Sequence, residues 1–136
     1  VTVAAMQKHL GHVAIQRDGS LLMSKLSSEP YNRIHIAAKG GIEVTIAAMR
    51  EHPGDAHAQR CGCVLLSCFA EIPRTDVRIA VEGMELTIAA MREHLGAHRM
   101  QQTGLCILCI LTERPENDVA IVAKGGIDVT IAAMRK

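Results

Sequence analysis

The chain has 136 residues, enough for one domain with a real core and too few for two. Its net charge of +1 lacks the basic field of most nucleic-acid binders, and no apolar run approaches the roughly 18 residues of a membrane span; the longest covers 105–111. With 49% apolar residues but one Phe, one Tyr and no Trp, the core must be aliphatic, which suits closely packed helices.

Taken in order, the chain repeats itself. VAAMQKH at 3–9 returns as IAAMREH at 46–52, as IAAMREH at 88–94 and as IAAMRK at 131–136. The threonine preceding each copy (Thr2, Thr45, Thr87, Thr130) gives steps of 43, 42 and 43 residues. Pro30, Pro73 and Pro115 keep the beat, as do Gly19, Gly62 and Gly104, and Gly40, Gly83 and Gly125. A fixed period of this length marks a stacked-repeat architecture, in which each unit buries its apolar face only against its neighbours. The glycine is paired at Gly40-Gly41 and Gly125-Gly126 but single at Gly83, so the middle unit has lost one loop residue.

Each unit reads as three helices. A short one follows the proline, with an N-cap expected at Asn32, Thr75 or Asn117 and a glycine stop. The repeated stretch forms the second, with Glu43, Glu85 or Asp128 in its first turn and Arg50, Arg92 or Arg135 near its end, an order that complements the helix dipole. Ile42, Ile46 and Met49 share one face of it, and Ala47 and Ala48 permit close approach. The third helix covers about 11–28, 55–72 and 97–114, with Asp55 a candidate N-cap, and is apolar nearly all round, so it belongs inside the stack. Its repeated glycine lowers helix propensity by about 1 kcal/mol relative to Ala, which points to a close backbone crossing.

This capped short helix, glycine turn, medium helix and long apolar helix in about 42 residues resemble the armadillo repeat along the whole chain. The resemblance implies an all-α fold, a right-handed superhelix of three helices per repeat. It forms a single domain, 1–136, with a partial repeat 1–29, repeats 30–72 and 73–114, and a partial repeat 115–136. It also implies a non-enzymatic protein-interaction scaffold that binds an extended peptide or partner segment on a concave third-helix face. Aligned on 66–70, the two positions that import receptors of the family fill with Trp and Asn fall on Val64 and Cys68, on Leu21 and Lys25, and on Cys106 and Ile110. None is Trp or Asn, so the donors and acceptors that hold a basic import signal are missing. One turn back lie Arg17, Arg60 and Gln102. Arg17, Lys25 and Arg60 would give the groove three cations and a preference for an acidic or extended segment.

Other chemistry finds little purchase. Cys61, Cys63, Cys68, Cys106 and Cys109 sit within apolar helical segments, which predicts buried, reduced thiols and a cytoplasmic or nuclear setting. The motif 106–109 is mid-helix, unlike a redox CxxC, and no four ligands converge on a metal. Histidines at 9 and 12, 52 and 57, and 94 and 98 cluster near the second turn, at a different spacing in each unit, so helix-end roles are expected over metal binding. No cofactor, phosphate loop or catalytic constellation is expected. Both ends are incomplete units without polar caps, which predicts homo-oligomers through the terminal helices or a piece of a longer array. A structural or self-assembly module without a peptide ligand is the alternative reading.

Overall fold

The computed structural model describes residues 1–72 and 79–135, with the side chains of Ile79 and Ala80 left out. Among the described residues the chain is all-helical. Its α-helices are α1 (Thr2–Lys8), α2 (Val13–Leu26), α3 (Pro30–Ala38), α4 (Gly41–Glu51), α5 (Ala56–Ala70), α6 (Met84–Glu93), α7 (His98–Leu111), α8 (Pro115–Ala123) and α9 (Gly126–Arg135). A π-helical segment, Ile79–Gly83, runs directly into α6. None of the described helices is long and apolar enough to cross a membrane.

One expected three-helix unit appears as α3-α4-α5; the first helix expected over 76–82 lies partly outside the described residues, and beyond the π segment come the pairs α6-α7 and α8-α9. The long helices α2, α5 and α7 pack side by side in that order, and α5 lies between the other two. The helices α1, α4, α6 and α9 carry the repeated stretch and form a second row, each touching the next. Ile42, Ile46, Ala48 and Met49 are buried, as the periodicity requires, with Ala47 partly covered.

Burial of one methionine per unit explains the glycine inside each long helix. A Cβ at Gly19 would lie 2.4 Å from Met6 Sδ, at Gly62 2.5 Å from Met49 Cγ, and at Gly104 2.5 Å from Met91 Cγ. All three methionines are fully buried. The glycine thus forms a seat that lets the second helix lie directly on the third.

Turn chemistry separates the units. Gly40 and Gly125 adopt φ of 88° and 87°, the left-handed conformation that ends a helix cheaply only at glycine. Gly83 has φ of −69°. With one residue fewer, the middle unit keeps right-handed backbone through this point, and the short segment joins α6 without a break.

The N-caps expected at Asn32 and Asn117 are corrected. Pro30 and Pro115 take the first helical position, where a missing N–H costs nothing, so α3 and α8 start three residues earlier, with Glu29 and Arg114 at their N-caps. Asn117 Nδ2 instead donates back to the Leu111 carbonyl at 2.8 Å. Thr75 lies outside the described residues. Asp55 does cap α5, accepting from the Ala58 N–H at 2.7 Å.

Candidate interaction face

The nine residues expected in the groove form i, i+4, i+8 triads along α2, α5 and α7: Arg17-Leu21-Lys25, Arg60-Val64-Cys68 and Gln102-Cys106-Ile110. None is buried. Leu21, Lys25, Gln102 and Cys106 are exposed and the other five, including all three on α5, are partly buried, and the packing of α5 along both α2 and α7 brings the triads together as neighbouring rows. The opposite sides carry the core: Met23 on α2; Cys63, Leu66 and Phe69 on α5; Ile107, Leu108 and Leu111 on α7.

Electrostatics of this face differ from the expectation of three cations. Arg17 is held by Asp55 across the α2-α5 joint, with Nε donating to Oδ1 at 3.1 Å and Nη2 to Oδ2. This guanidinium, together with the Ala58 N–H, keeps the Asp55 carboxyl below its ordinary range. Its charge is thereby matched inside the scaffold. Lys25 and Arg60 make no ion pair with described residues, so two cations remain available on the face.

The thiols divide. Cys61 and Cys63 are buried, and burial pushes the Cys63 thiol up to about 12. Cys63 Sγ lies 3.7 Å from the Thr87 hydroxyl of the next unit. Desolvation also raises Cys61 and the half-buried Cys68. Cys106 and Cys109 are exposed, which corrects the expectation that all five thiols sit in the core. Helix α7 is apolar like α5, but among the described residues only α5 packs along it as a long helix.

Histidines join units. His52 Nε2 donates to the Leu10 carbonyl at 2.7 Å, and His94 Nε2 to the Pro53 carbonyl at 2.7 Å. Each thus ties the end of one second helix to the corresponding turn of the preceding unit. Among the described residues no cluster of three metal-ligating side chains exists.

One set of residues was missed in the sequence. Gln16, Gln59 and Gln101 are buried, and each Nε2 donates twice to the end of the second helix of its own unit: to Met6 and His9, to Met49 and His52, and to Met91 and His94 carbonyls, all at 2.7 to 3.0 Å. These amides bond the Met6, Met49 and Met91 carbonyls near the helix ends and give the His9, His52 and His94 carbonyls a second donor beside a backbone N–H, which fixes the turn that sets the third helix in place. They recur at 43 and 42 residues, the same beat as the glycines, and that spacing was the available signal.

Comparison with protein families, with curated proteins and with solved structures finds no match, so the functional reading rests on residues and geometry.

Proposed function

We propose that this chain is an armadillo-type repeat module, a right-handed superhelix whose activity is protein interaction and which takes an extended partner segment across the α2-α5-α7 face. The observation that carries this reading is the contrast between the two sides of the long helices. The inward positions repeat what stacking needs: Gln16, Gln59 and Gln101, and Gly19, Gly62 and Gly104. The outward triads differ in every unit, and none of their residues is buried.

Three adjacent rows of different side chains suit a segment that crosses them in extended form and meets a different environment at each step. Lys25 and Arg60, with Arg17 already paired to Asp55, favour carboxylates over cations in that segment. Apolar contact comes from Leu21, Val64 and Ile110. The module carries no chemistry of its own in this reading.

A panel of extended peptides of equal length and opposite charge, titrated at low and at moderate salt, tests it. Acidic peptides bind more tightly, and their advantage shrinks as salt screens Lys25 and Arg60. Equal or tighter binding of basic peptides refutes the charge preference. Failure of every peptide to compete at Val64 and Cys106 refutes the face.

A further inference from the structure

The two joints between the long helices are built alike, and one of them carries its own carboxylate. Asp55 is the N-cap of α5. Its Oδ1 accepts from the Ala58 N–H at 2.7 Å and from Arg17 Nε at 3.1 Å, and its Oδ2 accepts from Arg17 Nη2. One carboxylate thus meets both prongs of a guanidinium on the preceding long helix and an N–H at the start of its own. Charge-assisted bonding and the helix dipole act on it together. The Arg17 bond, the Ala58 N–H and the charge of His57 all hold this carboxyl below its ordinary range.

The α5-α7 joint repeats the frame. Residue 97 follows residue 55 by 42, and residue 60 follows residue 17 by 43, the steps of the repeat itself. The Ala97 backbone, at φ −89° and ψ 88°, adopts nearly the conformation of Asp55, at −100° and 100°. The flanking bonds match as well. The Ala97 N–H donates to the His94 carbonyl and the Ala97 carbonyl accepts from the Gln101 N–H, as Asp55 does with His52 and Gln59. Arg60 therefore stands where Arg17 stands one helix earlier, and the Met100 N–H where the Ala58 N–H stands. Helix α7 runs for 14 residues and has no side-chain cap.

The acids are what differ. Ala97 replaces Asp55, and Cys61 replaces Asp18, the neighbour of Arg17 in sequence. The bases are kept or strengthened: the counterpart of His57 is Arg99, a permanent cation. Arg60 is partly buried and Arg99 exposed, and neither makes an ion pair with a described residue. The second joint thus keeps the donors that hold a carboxylate in the first and has no carboxylate of its own.

We propose that the α5-α7 joint is a carboxylate site and that the group it takes is an Asp or Glu side chain of the partner segment. That side chain sits at the α7 N-terminus between Arg60 and the Met100 N–H, as Asp55 sits between Arg17 and the Ala58 N–H. The inference rests on the α2-α5-α7 face being where an extended segment crosses, since Arg60 belongs to that face. It narrows a general preference for acidic segments to one carboxylate at one joint. Because Asp55 already fills the α2-α5 joint, the segment has a single place for its acid, and this fixes its register on the face.

The test uses the full chain and two extended peptides of neutral residues, identical except for one central Glu or Gln. The native chain binds the Glu peptide at least about fivefold more tightly, the scale of one two-pronged charged contact. Arg60→Gln removes the guanidinium and Ala97→Asp supplies the carboxylate from within. Each brings the Glu-to-Gln ratio to about one and leaves the affinity for the Gln peptide within about twofold of native. Lys25→Gln keeps the ratio. In a nuclear magnetic resonance titration, the carboxyl introduced by Ala97→Asp ionises below the ordinary Asp range, and adding Arg60→Gln raises it. A ratio near one in the native chain, a ratio unchanged by Ala97→Asp, or an introduced carboxyl that ionises in the ordinary range overturns the site and leaves the face standing. Loss of the ratio in Lys25→Gln assigns the preference to α2 and overturns the site as well. Binding of neither peptide by any of these proteins, with the introduced carboxyl still depressed, overturns the partner and the face together.

Discussion

Replacing Gly62 by Ala tests the packing logic most sharply, because two well-understood effects oppose each other there. In a helix interior the change supplies about 1 kcal/mol of propensity in favour of the folded state. At this position the new methyl would stand 2.5 Å from Met49 Cγ and 2.6 Å from its Sδ. Those atoms lie near the root of a fully buried side chain, so relief requires moving α4 away from α5, and overpacking of this kind costs about 1–3 kcal/mol. The net expectation is destabilisation by about 1 kcal/mol. Met49→Ala alone costs about 2–5 kcal/mol through the cavity it leaves. The double variant is less damaged than the sum, because the methyl added by Gly62→Ala enters that space, with a coupling of at least about 1 kcal/mol. Urea unfolding of the four proteins measures the cycle. Stabilisation by Gly62→Ala alone, or a coupling near zero, would refute the seat as the reason for glycine.

The remaining predictions follow from single contacts. Gln59→Leu leaves the Met49 and His52 carbonyls without their buried donor and lowers stability by about 2–4 kcal/mol in urea unfolding, whereas Gln102→Leu on the open face changes it by less than about 0.5 kcal/mol. A thiol reagent applied to the folded chain labels Cys106 and Cys109 quickly and leaves Cys61 and Cys63 unmodified until denaturant is added, as peptide mass mapping will show. Asp55 has a folded-state pKa depressed below 3.8, so its pairing with Arg17 contributes fully above that pH and is lost as pH falls through the lower folded value. Asp55→Asn keeps a competent N-cap but removes this charge. It therefore costs under about 1 kcal/mol at pH 7 and flattens the loss of stability below about pH 4, measured by thermal unfolding across pH.

How much of this was legible in the sequence depends on whether a residue's fate is decided locally. The period, the buried face of Ile42, Ile46 and Met49 and the close crossing at Gly62 all repeat, and repetition made them readable. The buried glutamines repeat as well, but a polar residue in a helix reads first as surface; only the beat sets Gln59 apart. Asn32 and Asn117 misled because asparagine is a common cap, whereas Pro30 and Pro115 had already opened their helices. The charge on Arg17 was misjudged because its partner lies 38 residues away, at the N-cap of another helix. Cys106 and Cys109 sit in as apolar a run as Cys61 and Cys63, yet they are exposed, because among the described residues a long helix packs along only one side of α7, which no local pattern encodes. The nine face residues were chosen from the armadillo resemblance and one further helical turn, and the structure buries none of them.

The most direct test of the interaction reading is amide chemical-shift mapping of the isotope-labelled chain during titration with an acidic extended peptide. The account predicts that shifts concentrate on Lys25, Arg60, Val64, Cys68, Gln102 and Cys106, with the packed sides of α2, α5 and α7 unmoved. Shifts confined to Leu22, Leu26, Ile131 and Met134 at the two ends would contradict it.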